Sequence, residues 1–424
     1  MEFSETAKAN ALKFLEEVAS KERPSLAPHY PQLCLAEVEA ECLDQAKNYL
    51  AKLSCPGILS YYISCEAFKR LSTSLDKYLL PSEEESRPMY NSDGVLSDLL
   101  IELHSVCEEW AASLPLMTAP VDKVDLSIFA IKNTRRKMED RHALCVDVNA
   151  LFGLKDYPHQ AYYSIFDGHI GVEAASYAAI TLLTNLVRHE LFKDDPEGAL
   201  KGAIKVTDDN VCSKNLPRSG TTAVACLQRG NKVYTGWVGD SQAMIVRNSV
   251  PTQLVKPHKP DQDDEQQRIE AAGGVVLWNG AWRVNGNLSV SRAIGDAPDK
   301  KFVIGVGDVS VADIEGTEDY LMLACDGIWD VLSMEEIVTC VQAHLTSPGG
   351  SKQTVAKAII QLAKSEGSGD NMTVIVSFFS TFILPIQDPP PASTDASVDT
   401  QLSEEKPSAE KVDTSGQEGE TPSN

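Results

Sequence analysis

Apolar positions in the first 120 residues recur at helical spacing. Leu35, Val38, Leu43, Ala46, Tyr49, Leu50 and Leu53 form one stripe, and Leu96, Leu99, Leu100, Leu103, Val106 and Trp110 form another. Pro24, Pro28 and Pro31, then Pro56-Gly57, then Pro81 with Glu83-Glu84-Glu85, separate at least three helices. The pattern predicts a helical N-terminal region over residues 1–120, with no grouping of catalytic type; most stripe residues are expected to form a helical core, and the stripes also to serve a protein partner or dock on the rest of the chain. From residue 121 the texture shifts to short apolar runs separated by Gly, Asp and Asn. Strands are predicted at 126–131, 161–166, 221–227, 232–238, 242–246, 320–325 and 373–379, and helices at 171–191, 196–210, 264–272, 334–344 and 352–364. Clustered strands with intervening helices imply a layered α+β domain over residues 121–385. Residues 386–424 hold Pro, Ser, Thr, Glu and Asp with almost no large apolar side chain, so an acidic, disordered tail is expected there.

Charge narrows the range of functions. The 424 residues carry 38 basic and 61 acidic side chains, a net charge of −23. Such a chain repels phosphate backbones and anionic lipid, so neither nucleic acid nor membrane is an expected partner. Divalent cations and basic substrates suit it better. The longest apolar stretch, 374–384, is broken by Ser377, Ser380 and Thr381 and stopped by Pro385, short of the ~20 residues of a membrane span. The opening Met1-Glu2-Phe3-Ser4 lacks the basic-then-apolar pattern of a secretory signal. Ten cysteines without a Cys-x-x-Cys read as reduced thiols, and the expected location is cytoplasmic or also nuclear.

The acidic residues fall in a pattern. Asp167, Asp240 and Asp326 stand at the ends of three apolar runs, each beside a glycine (Gly168, Gly239, Gly327), and Asp370 precedes a fourth. If that fourth strand runs antiparallel to the others, all four carboxylates converge on one rim. Asp-Gly is a common turn former, and one such pair would mean no more than that. Four together repel one another unless cations sit among them, and oxygen-only ligands favour Mg²⁺ or Mn²⁺. Zinc is disfavoured by the absence of a His/Cys cluster at ligand spacing. Residues 133–142 add four cationic side chains and His142 around Glu139-Asp140, a grouping that suits a phosphate ester although charge runs are usually solvated loops.

The segments Arg135-Arg136-Lys137-Met138-Glu139-Asp140, Phe166-Asp167-Gly168-His169, Ser219-Gly220-Thr221-Thr222-Ala223, Val238-Gly239-Asp240-Ser241, Val290-Ser291-Arg292-Ala293-Ile294-Gly295-Asp296, Ala324-Cys325-Asp326-Gly327-Ile328-Trp329-Asp330 and Gly369-Asp370-Asn371-Met372-Thr373 resemble, in order, the motif series of the metal-dependent (PPM, type 2C) serine/threonine protein phosphatases. Residues 133–142, Pro257-His258-Lys259-Pro260, Gly239-Asp240-Ser241-Gln242 and Trp282-Arg283-Val284-Asn285-Gly286 look closest to its calcium/calmodulin-dependent protein kinase phosphatase branch. The resemblance implies a four-layer sandwich, two antiparallel sheets flanked by helices, with a binuclear centre at one edge. It implies that Glu139, Asp167, Asp326 and Asp370, with the carbonyl of Gly168, ligate two Mg²⁺ or Mn²⁺ ions. Asp240 and Asp330, with Asp326, would hold a third, weaker ion. It further implies that Arg135 binds phosphate, His169 is the general acid and Asp140 bonds to metal-bound waters. The implied reaction is hydrolysis of phosphoserine and phosphothreonine by a metal-bridging hydroxide, with phosphoproteins as substrates, autophosphorylated protein kinases first.

Some residues depart from the family pattern or allow another reading. Ile170 stands where the family has Gly or Ala, and is expected to alter rate or specificity. Cys212-Ser213-Lys214-Asn215-Leu216-Pro217-Arg218 fits Cys-x5-Arg but lacks the preceding His and the glycines of a cysteine phosphatase. No Walker loop, kinase catalytic loop or His-Glu-x-x-His occurs. The rival from another class is a catalytically weak scaffold acting through the helical region, which loss of a metal carboxylate would have favoured. Trp278, Trp282 and Trp329 are expected to pack, His142 and His258 to be ordinary hydrogen-bonded histidines, and Cys325 to be buried. The stretch between Asp296 and Glu318 is expected to form the substrate-facing flap.

Overall fold

The computed structural model describes residues 5–81, 87–115, 125–214 and 218–379. The tail expected at 386–424 lies outside them. Two five-stranded antiparallel sheets form the centre. One runs Val250–Gln253, Gln242–Arg247, Glu318–Ala324, Met372–Phe378, Asp125–Ile131; the other runs Asp308–Asp313, Lys232–Val238, Ala223–Arg229, Gln160–Phe166, Arg141–Cys145.

Alternation explains why these strands look continuously apolar. In Met372–Phe378 every residue is buried. Met372, Val374, Val376 and Phe378 pack outward with Ile337, Val341, Ile359 and Ile360 of the helices Met334–Thr346 and Val355–Ser365. Ile375 points the other way, into the layer between the sheets with Tyr163, Ile165, Val224, Ile245, Leu321 and Leu323. A period of two thus feeds two separate cores, and each fully buried aliphatic side chain contributes about 1.5–3 kcal/mol. The second sheet is covered by Glu173–Val187 and Pro196–Ser213, whose Ala178, Leu182, Leu200 and Ile204 share a cluster with Tyr162, Ala225 and Leu227. The four-layer α+β sandwich expected from the sequence is the observed fold.

Four long helices precede it: α1 (Glu5–Ala19), α2 (Leu35–Lys52), α3 (Leu59–Ser72) and α4 (Ser92–Ala112). Val38, Ala46, Leu50, Leu96, Leu99, Leu100, Leu103 and Val106 are buried in their shared core, as the two stripes predict. Leu35 departs from the stripe; it opens α2 and is 57% exposed. The other face of α2 lies on the sandwich, where Leu43 joins the cluster around Tyr162 and Leu182.

The junction is polar as well as apolar. Glu37, buried on α2, accepts hydrogen bonds from the Tyr177 hydroxyl (2.7 Å) and from the backbone N–H of Cys34 (2.9 Å), and pairs with Lys214 at 3.0 Å. Lys214 also lies over the rings of Tyr30 and Tyr177. No helix among the described residues is long and apolar enough to cross a membrane.

Candidate active site

Strand ends bring the sequence-selected residues together. Asp167 follows Gln160–Phe166, Asp240 sits where the chain leaves Lys232–Val238 for Gln242–Arg247, Asp326 follows Glu318–Ala324, and Asp370 precedes Met372–Phe378. The last two strands are antiparallel, with Ala324 opposite Val374, so Asp326 and Asp370 reach the same edge. A pocket of about 1030 Å³ opens there, lined by Arg135, Glu139, Asp167, Gly168, His169, Asp240, Asp326 and Asp370 among others.

Asp140 and Asp330 do not line that pocket. Asp140 is buried behind it, where Oδ2 accepts a hydrogen bond from the Thr373 hydroxyl at 2.7 Å. Asp330 is exposed and reaches the site through Lys259, whose Nζ is 3.6 Å from Asp330 and 2.5 Å from buried Asp240. Lys259 is thus a cation built into the position implied for a third metal. In the sequence, Pro257-His258-Lys259-Pro260 is marked only by its family resemblance.

The loop bearing Arg135 and Glu139 is pinned to the turn before Met372. Asn371 Nδ2 donates to the carbonyls of Lys132 (2.9 Å) and Lys137 (3.0 Å), and its Oδ1 accepts from the Glu139 N–H (2.8 Å). Thr134 donates its hydroxyl to the Gly369 carbonyl at 2.6 Å, and Arg135 pairs with Asp370. This anchoring role of Asn371 was not seen in the sequence, where it stood unassigned beside Asp370. The chain passes so close here that a Cβ on Gly168 would lie 2.5 Å from the Glu139 carbonyl oxygen.

The electrostatics call for cations. Burial and the nearby Asp326 and Asp140 push the Asp167 carboxyl well above the usual carboxylate range. Burial, Asp240 and Asp330 push Asp326 up to about 8, and burial pushes Asp140 up to about 6. Asp140 Oδ1 is buried without a hydrogen-bond partner among the described residues, and one ligand atom each of Asp140, Asp167 and Cys325 lie within 4.8 Å of one another. Burial raises the Cys325 thiol far above its ordinary value, so it remains a neutral donor and acceptor; Thr373 N–H donates to its sulfur at 3.2 Å. Crowded oxygen donors without enough positive charge fit hard divalent ions, as the sequence suggested.

His169 has a partner far from it in sequence. Its Nε2 is 2.7 Å from Oδ2 of Asp296, a carboxylate that is 1% exposed. Asp296 adopts φ +50°, a left-handed conformation that Asp tolerates. Gly220 leaves the pair room: a Cβ there would lie 2.1 Å from Asp296 Oδ2 and 2.3 Å from His169 Nε2. Ile170, next to His169, is 56% exposed with φ +59°, a strained conformation for a β-branched residue.

Two expectations about the surroundings are corrected. The stretch from Asp296 to Glu318 holds Asp308–Asp313, an edge strand paired with Lys232–Val238, and is not the flap. The segment reaching the pocket is instead the hairpin of Val276–Trp278 and Trp282–Val284 and the residues after it, through Asn279, Arg283, Gly286 and Leu288. Trp278 and Trp282 do not pack into a core; they are 65% and 42% exposed and meet edge to face at 5.5 Å. Trp329 does pack, donating Nε1–H to the Ala324 carbonyl at 2.8 Å. Buried His258 accepts from the Gly239 N–H through Nδ1 and faces Asp308 through Nε2. Cys212 is no nucleophile: burial and Asp208 push its thiol up to about 11.

Comparisons with known proteins agree with this architecture. Residues 124–372 match the family described as Protein phosphatase 2C. The chain is 44% identical over 362 residues to Protein phosphatase 1E of Mus musculus, covering 84% of this chain and 48% of that protein. It is 41% identical over 357 residues to Protein phosphatase 1F of Rattus norvegicus, covering 81% and 79%. The chain therefore spans about half the length of the 1E relative. Among solved structures, a C. elegans sex determining protein superposes with a TM-score of 0.68 at 22% identity, covering 89% of this chain and 95% of that one. Serine-threonine phosphatase 2C from Toxoplasma gondii gives 0.55 at 24%, covering 63% and 97%. With the family matched across the sandwich and its acidic edge, the chain belongs to the protein phosphatase 2C family.

Proposed function

We propose that this chain hydrolyses phosphoserine and phosphothreonine esters of proteins, using Mg²⁺ or Mn²⁺ held by Glu139, Asp167, Asp326 and Asp370 with the Gly168 carbonyl. The observation that carries the reading is the convergence of Asp167, Asp240, Asp326 and Asp370 with Arg135 and His169 on one pocket. Bound divalent ions supply an activated water and neutralise phosphoryl charge.

The remaining work falls to the chain's own residues. Arg135, 61% exposed at the pocket mouth, is placed to grip phosphate oxygens. His169, held by Asp296, delivers a proton to the serine or threonine oxygen as it leaves. Asp140, buried within 4.8 Å of Asp167, accepts hydrogen bonds from water held at the site. Asp240 and Asp330 are the carboxylates for a further ion, in competition with Lys259. Autophosphorylated protein kinases are the substrates that the family resemblance favours.

Phosphate release from a phosphothreonine peptide, followed with Mn²⁺, Mg²⁺ or EDTA, tests the reading. Turnover that requires a divalent ion supports it. A flat trace under every condition would overturn it and leave the scaffold alternative.

A further inference from the structure

The pocket carries more positive charge on its rim than one phosphoryl group needs. Arg135, Arg136, Lys137, Arg218 and Arg283 all line it. Arg135 pairs with Asp370 and Arg218 with Asp299. Arg136 and Lys137 are exposed and have no carboxylate partner among the described residues. Arg283 spends its donors on backbone, giving Nη1–H to the Asn287 carbonyl at 2.7 Å and Nε–H to the Asn279 carbonyl at 3.2 Å; this fixes the side chain without cancelling its charge.

These cations are not on a loose surface run. The carbonyl of Lys137 is held by Asn371, Thr134 is tied to Gly369, and Asn133 Nδ2 donates to the Ser368 carbonyl at 2.6 Å. A pinned loop lowers the ordering cost of binding an anion. The chain as a whole, at −23, repels anions. Screening over about 8 Å at physiological salt confines the attraction to groups that reach the rim itself.

We propose that Arg136, Lys137 and Arg283 form an anion subsite beside the reacting phosphate, selecting phosphopeptides with a second negative group, a carboxylate or another phosphate, in the residues flanking the phosphorylated one. This rests on the phosphatase reading and adds the substrate class. The rim thereby reverses the preference that the chain's overall charge would impose.

The test uses the full chain and phosphothreonine peptides with neutral, Glu or Lys flanks, reading KM from phosphate release. Matching peptides with a non-hydrolysable phosphonate, plus one bearing a second phosphonate, are read by fluorescence anisotropy. Glu flanks should lower KM and Kd at least fivefold relative to neutral flanks, Lys flanks should raise them, and high salt should narrow the gap. In the Arg136→Ser/Lys137→Ser double variant the Glu-to-neutral ratio should fall below two. Tighter binding of the second phosphonate than of Glu assigns phosphate as the preferred group, and the reverse assigns carboxylate. Equal KM and Kd for all flanks, or a ratio that survives the double substitution, overturns the subsite. Absence of phosphate release from every peptide strikes the phosphatase reading instead, and the anisotropy arm still decides the subsite.

Discussion

At the scale of single residues, the hydrogen bond between Asp296 and His169 has the clearest consequence. A carboxylate bonded to one ring nitrogen fixes the imidazole and leaves the other nitrogen for proton transfer. Asp296→Asn keeps the shape and removes the charge. Steady-state kinetics should show kcat lowered about tenfold or more with KM little changed, since general acid catalysis contributes roughly 10²–10⁴-fold; an unchanged kcat would remove Asp296 from the account. Glu139, Asp140 and Asp330 entered as site residues only through the family resemblance, whereas Asp167, Asp240, Asp326 and Asp370 were legible because each follows or precedes an apolar run beside a glycine. Asp296 was not, because the bond to His169 spans 127 residues and depends on the space left by Gly220. Lys259 and Asn371 were hidden for the same reason: their partners are distant in sequence and set by strand crossing. Ile170 was singled out from the family pattern, but only the structure gives its left-handed backbone.

Among elements, strands buried on both faces were the easiest to read. The predicted 232–238 run matches Lys232–Val238, and 373–379 differs from Met372–Phe378 by one residue. Arg141–Cys145 went unpredicted because Arg141 and His142 belong to a charged run, and edge strands such as Asp308–Asp313 need only one apolar face. The helix Asp263–Ala271 is tied to the chain leading toward Asp296 by Glu265, which accepts from Arg292 (2.9 Å) and Arg268 (2.8 Å). Burial alone would raise the Glu265 carboxyl, but bonds from Arg292 and Arg268 outweigh it and hold it down at about 2, below its ordinary 4.5. Its contribution is therefore full above pH ~4.5 and is lost as pH falls toward ~2, on the order of 3 kcal/mol. Urea unfolding of the wild type and Glu265→Gln should show a stability difference that shrinks between pH 5 and pH 3, roughly the range set by those two values. A difference constant with pH would contradict this.

On the scale of the whole molecule, the helical region and the sandwich are held together by a charge inside an apolar junction. Removing Glu37 leaves Lys214 and Tyr177 without their shared partner and costs the cap on α2. Glu37→Ala should destabilise the protein by about 3 kcal/mol, read from the shift in denaturation midpoint, because breaking one side of a buried pair leaves an uncompensated charge. No shift would mean that the junction rests on its apolar contacts. The stripes in the sequence foretold a helical core, and Leu43 within one stripe turned out to face the sandwich. Periodicity alone does not say which buried side meets which neighbour.

Calorimetric titration of the full chain with Mn²⁺ shows whether the acidic edge holds divalent cations. Saturable binding to the wild type, lost or strongly weakened in a folded Asp326→Ala variant, is the predicted result. A wild type that takes up no Mn²⁺, or a variant that binds it equally well, would mean that the edge holds no such centre.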